Sequence, residues 1–108
     1  MTDFYYMTDD GNVHLTTNER EWIMKVHNNR IVDQTTVGDY LVSTVFLGID
    51  HNFGRGLPIL FETMVFNNKH NELYCDRYHT KQEAVEGHKK IVGMVTRGEI
   101  QEDTPSST

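Results

Sequence analysis

Apolar and polar residues alternate along this chain in two rhythms. Leu41 to Ile49 (LVSTVFLGI) and Ile59 to Phe66 (ILFETMVF) are short runs rich in Val, Thr and Phe, the composition of strands and not of helices. They flank one polar, glycine-rich segment and are expected to pair as an antiparallel hairpin. Leu73 to Tyr78 predicts a further strand after the polar turn NNKHNE. Arg30 to Val37 predicts another, joined to Tyr40 through Gly38-Asp39, a tight-turn dipeptide. Near the start, Asp10-Gly11 marks a turn between FYYMT and NVHL.

The second rhythm is helical. Ala84, His88, Ile91, Val92 and Val95 fall on one face, while Lys81, Glu86, Lys89 and Lys90 fall largely on the other. Thr80-Lys-Gln-Glu83 has capping-box spacing, and Gly98 is placed to end the helix. Glu19 to His27 fits both rhythms: Thr16 and Asn18 each precede a glutamate at helix-start spacing, yet Trp22, Met24 and Val26 alternate as in a strand. The expected fold is α+β: an antiparallel sheet of about four to six strands with one long C-terminal helix packed on it. A single domain is expected over residues 1–98, followed by a disordered polar tail, EIQEDTPSST, over 99–108.

Composition narrows the function classes. The chain has 108 residues and a formal net charge of −6, which argues against a general nucleic-acid binder. Its one cysteine, Cys75, allows no internal disulfide and no classical zinc-finger ligand set. No apolar run approaches the ~20 residues of a membrane span, and the acidic N-terminus does not resemble a secretory signal. A cytoplasmic location is expected.

Chemistry-bearing residues gather where the rhythms are broken. Glu62 sits inside ILFETMVF, where a carboxylate must find a partner or a cavity; Arg77 on the next strand is the natural partner. With one register of the central hairpin Glu62 joins Thr44 and Gly48 on a surface; shifted by one residue, it joins Ser43 and Val45. Gly48 interrupts a strand end, as at a bulge or a close approach by a ligand or backbone. The loop GIDHNFGRGLP carries Asp50, His51 and Arg55 among three glycines, so its amides and guanidinium suit a small anion such as a nucleotide phosphate. It matches neither phosphate-loop signature. His88 lies on an apolar helix face beside Gly87, which allows close helix–sheet approach. There it either packs as a satisfied core residue or meets His51 or Glu62 in an acid–base or metal-binding set. Tyr5, Tyr6, Trp22 and Tyr40 offer stacking surfaces. Cys75 has only Arg77 and His79 to activate it, so it is a weak nucleophile candidate.

Three blocks together, VSTVFLGIDH (42–51), LFETMVF (60–66) and RYHTKQEAVEGHKKIV (77–92), resemble a family of small proteins of tailed phages and prophages. The resemblance spans roughly residues 20 to 95. It implies an origin and not a mechanism, and small phage proteins of this kind are often binders of host proteins or of defence nucleotides. The expected function is therefore a non-enzymatic phage binding protein that counters host defence. Its site would combine Thr44, Gly48, Asp50, His51, Arg55, Glu62, Arg77 and His88. Its partner would be a small anionic ligand or a host protein, with no cofactor and no metal. The apolar content of both faces of the central strands points to a homo-oligomer. The alternative is a small hydrolase built on His51, Glu62 and His88.

Overall fold

Within each sheet of this chain, strands pair with their sequence neighbours, as meanders do. The structure, a computed structural model, describes residues 3–27 and 29–101. The elements are β1 (Phe4–Met7), β2 (Val13–Thr16), α1 (Glu19–Val26), β3 (Ile31–Val37), β4 (Tyr40–Phe46), β5 (Phe61–Phe66), β6 (Glu72–Tyr78) and α2 (Lys81–Thr96). Strands β3 to β6 form one antiparallel sheet in chain order, and β1 and β2 form a separate hairpin. The fold is α+β, with the C-terminal helix on one face of the larger sheet.

Local chemistry accounts for each connection. Gly38 takes φ 59° in the β3–β4 turn, a left-handed conformation natural to glycine. In the β5–β6 turn the Asn67 side chain accepts from the amides of Lys69 and Asn71, both at 2.9 Å. The segment 19–26 is a helix because Asn18 caps it, accepting from the Glu21 amide at 3.1 Å. Trp22 and Val26, four residues apart, turn towards the core, while Met24 between them faces out. That is the helical period, and the apparent alternation was incidental.

In α2 the Thr80 hydroxyl accepts from the Glu83 amide while Glu83 accepts from the Thr80 amide, closing the capping box. At its other end Gly98, at φ 78°, donates to the Val95 carbonyl, and Glu99 donates to that of Met94. This Schellman turn folds the chain back. Ile100 is thereby buried with Val42, Val65, Ile91 and Val95, so packing extends past the boundary expected at Gly98. The remainder of the expected tail, 102–108, lies outside the described residues.

The helix-facing side of the sheet is layered. Phe46, Phe61 and Ala84 pack with Met7, Val26, Leu60 and Tyr78 in one apolar cluster. Val42, Val65, Ile91 and Val95 form a second. Thr44 of β4, Thr63 of β5 and His88 of α2 are also buried, and in each element they lie between residues of the two clusters. The N-terminal hairpin and α1 join the sheet through Met7, Tyr5, Trp22 and Val26.

Candidate functional site

The hairpin register decides which candidates can meet. Val45 pairs with Glu62, and Thr44 pairs with Thr63. Directly opposed residues share a face and successive residues alternate. Glu62 therefore lies with Ser43 and Val45 on the outer face, and Thr44 lies with Thr63 on the helix face. The site expected from the sequence is divided into three places, and His88 and Glu62 fall on opposite sides of the sheet.

On the helix face His88 is only 2% exposed and both ring nitrogens are engaged. Nδ1 is 2.7 Å from the Thr44 hydroxyl, and Nε2 is 2.8 Å from that of Thr35. Thr44 in turn lies 2.5 Å from the Thr63 hydroxyl. Burial holds the imidazole below its ordinary pKa, partly offset by Asp33, whose carboxylate is 3.7 Å away. The Tyr78 hydroxyl is buried without a hydrogen bond of good geometry, and Thr63 is the polar side chain it interacts with. His88 and the three threonines thus form a hydrogen-bonded polar layer inside the core, with the Tyr78 hydroxyl at its edge. His88 meets threonines there and neither His51 nor Glu62.

On the outer face Glu62 is 7% exposed and accepts from Arg77 Nε at 2.9 Å, the pairing expected from the sequence. The Cys75 thiol approaches the same carboxylate oxygen at 3.6 Å. Desolvation, reinforced by the Glu62 charge, pushes the thiol pKa up to about 11, so Cys75 is no nucleophile near neutral pH. Beside the pair is a shallow hollow of about 220 Å³ lined by Arg30, Ser43, Val45, Glu62, Met64 and Phe66. Of these, only Glu62 belonged to the expected site; Arg30, Ser43, Val45, Met64 and Phe66 did not. Their period-2 positions were visible in the sequence; the side of the sheet they occupy was not.

The β4–β5 loop is the third place. Asp50 turns its carboxylate inward, accepting from the amides of Asn52 at 2.6 Å, Ile59 at 2.9 Å and Gly54 at 3.0 Å. Desolvation raises its pKa, but these three donors together outweigh it and hold the carboxyl below its ordinary range. The amides expected to cradle an outside anion thus surround the loop's own aspartate. Asn52 Nδ2 donates to the Leu57 carbonyl at 2.9 Å, and His51 donates its amide to Ile59. Arg55 is exposed.

The residues this loop does present are apolar: Phe53 is 80% exposed and Leu57 is 70% exposed. Phe53 sits at φ 54°, a conformation that costs a non-glycine residue energy and persists only where the surroundings impose it. A phenylalanine amid glycines and polar residues was the signal available in the sequence. Gly48 serves packing. A Cβ there would lie 3.0 Å from Trp22 Nε1 and 3.1 Å from Val26 Cγ2, so the close approach expected at this glycine is made by α1.

Among the described residues no group of three or more His, Cys, Asp or Glu side chains is placed to hold a metal ion, and no helix is long and apolar enough to cross a membrane. The fold and these three places define a small α+β protein with a helix on one face of its sheet, a bare second face and a stiffened apolar loop. Comparison with protein-family models, with curated proteins and with solved structures finds no match to the chain.

Proposed function

We propose that this is a non-enzymatic binding protein that recognises another protein, with the β4–β5 loop as its anchor. The observation that carries this reading is the closure of the loop on Asp50, which leaves Phe53 and Leu57 directed outward. A pre-shaped loop loses little conformational entropy on binding, and exposed aromatic anchors supply much of the energy of protein interfaces. The complementary partner has an apolar recess, with acceptors at its rim for Arg55. In the phage setting implied by the resemblance, that partner is a host protein, and binding it is the anti-defence act. A nucleotide signal is the less favoured ligand, because the amides that would hold its phosphate are already bonded to Asp50. The hydrolase alternative lacks support from geometry, since Glu62 and His88 are separated by the sheet.

The test is capture from host extract by wild-type protein and by the Phe53→Ala/Leu57→Ala double variant, together with thermal melting in a panel of nucleotides. The expected result is a protein retained by wild type and lost by the variant, with the two melting alike, since truncating exposed side chains changes stability by only about 0.5 kcal/mol. A nucleotide that raises the melting temperature equally in both proteins would overturn the reading, as would capture indifferent to the loop.

A further inference from the structure

The outer face of the four-stranded sheet has no helix or strand layer packed on it among the described residues, since α2 covers the opposite face. Leu41, Val45, Met64 and Phe66 lie on it at alternate positions of the two central strands, and Ile31 of the edge strand, opposite Val45, is 60% exposed. Sheets of this kind with one apolar face free are stabilised by packing that face against another layer about 10 Å away.

Charge indicates what that layer is. The chain carries ten Lys and Arg against sixteen Asp and Glu. The outer face holds two of each. Arg30 lines the hollow, Arg77 pairs with Glu62, and Glu72 lies opposite Phe66 and contributes to the Arg77 electrostatics. Eight basic residues against fourteen acidic ones remain for the rest of the chain, so the entire net charge of −6 lies off this face. An acidic body with one neutral, apolar side meets an equally acidic body there with least repulsion. A basic partner would be drawn to the other surfaces. The face is also self-complementary: it offers carboxylates, and it offers an arginine whose side chain is 48% exposed. About a two-fold axis every contact is made twice, so an arginine of one copy set against a carboxylate of the other is repeated in reverse.

We infer that two copies of this chain pack sheet to sheet through the face centred on Glu62 and Met64, forming an isologous dimer that leaves the β4–β5 loops free. Four strands at ~4.8 Å spacing and about six residues of ~3.3 Å rise give a plan area of about 400 Å² per copy. That is below the ~800 Å² per partner of standard interfaces, so the dimer is a weak one with micromolar dissociation.

Sedimentation equilibrium of the full chain across the micromolar range tests this. Wild type is expected to move from the 12.6 kDa chain mass towards twice that value as concentration rises. Added salt, which screens the repulsion between two acidic bodies, should strengthen association. Met64→Lys and Val45→Lys should stay at the chain mass with native circular dichroism, whereas Glu86→Lys on the exposed side of α2 should still dimerise. Maleimide labelling of wild-type Cys75, which lies on the same face, followed at mildly alkaline pH where the raised thiol still supplies a small thiolate fraction, should slow as protein concentration increases; this readout does not depend on any variant folding. Wild type remaining at the chain mass throughout, Cys75 labelling independent of concentration, association weakened by salt, or dimers persisting in natively folded Met64→Lys and Val45→Lys would each overturn the proposal.

Discussion

A histidine enclosed by threonine hydroxyls shows what one buried polar residue does to a core. His88, Thr44 and Thr63 form a polar layer between two apolar clusters, so sliding α2 by a turn or β5 by two residues would set hydroxyls against hydrocarbon. Such an unpaired buried group costs about 1–3 kcal/mol. Removing the ring leaves both a cavity and unpaired hydroxyls, so His88→Ala is expected to lower stability by about 2–4 kcal/mol in denaturant melts. Its titration gives a second prediction. Of the titratable groups on the strands under α2, which include Asp33, Tyr40, Tyr74, Asp76 and Tyr78, Asp33 is the one whose charge acts on the ring. Burial nonetheless depresses the folded pKa below the ordinary 6.5. The unfolded chain therefore takes up the proton first. The stability His88 contributes is complete above about pH 6.5 and declines as pH falls towards the lowered folded value. The carboxylates with lowered values, Asp10, Glu21, Asp50 and Glu83, add losses only below about pH 5. Melting temperature should thus fall between neutrality and about pH 5 in wild type and flatten in His88→Gln; equal slopes would show that another group titrates.

At the scale of elements, the two glycines of α2 answer oppositely to the same substitution. A Cβ on Gly87 would lie 2.3 Å from the Tyr78 hydroxyl and 2.4 Å from its ring; the helix runs this close to β6 because no side chain intervenes. Gly87→Ala is expected to cost roughly 1–3 kcal/mol through overpacking, despite the gain of about 1 kcal/mol in helix propensity. At Gly93 the nearest atom is the mobile Arg97 Nη1, at 3.0 Å. Gly93→Ala should keep the propensity gain and stabilise by up to about 1 kcal/mol. Paired urea melts read both signs. The sequence showed Gly87 as an anomaly beside His88 and gave the right reason, close helix–sheet approach. That the approaching group is Tyr78 followed from β6 ending where α2 begins.

For the whole molecule, the joint between the N-terminal unit and the sheet is concentrated at Gly48. Its carbonyl accepts from the Tyr5 amide at 2.9 Å, its φ is 81°, and Trp22 and Val26 occupy the space a side chain would need. Gly48→Val should cost at least ~2 kcal/mol, from left-handed strain and displaced packing together. Hydrogen exchange should quicken in β1 and α1 while α2 stays protected; uniform acceleration would mean that the N-terminal unit is no separate cooperative unit. Here the sequence identified the right glycine and the wrong visitor. Trp22 and Val26 are about twenty residues upstream, and their arrival depends on the path of the chain between.

Most strands, the C-terminal helix with its cap and the turns were legible in the sequence because each is decided within a few residues: Thr80 bonds an amide three positions on, and Gly38 and Gly98 supply conformations at single positions. The segment 19–26 was not, because its helical and alternating patterns coincide and only packing of Trp22 and Val26 separates them. The Glu62–Arg77 pair was legible for a similar reason, since neighbouring strands of a meander lie side by side. Tertiary structure alone decided which candidates share a site. A strand's side chains alternate every residue, so a shift of one in the β4–β5 register moves Glu62 from one face to the other, and that register is fixed by the packing of the whole sheet. The loop followed the same logic. Its residues offered both an anion and a cradle, and only the folded backbone brought them together, filling the cradle with Asp50 and leaving Phe53 and Leu57 outside.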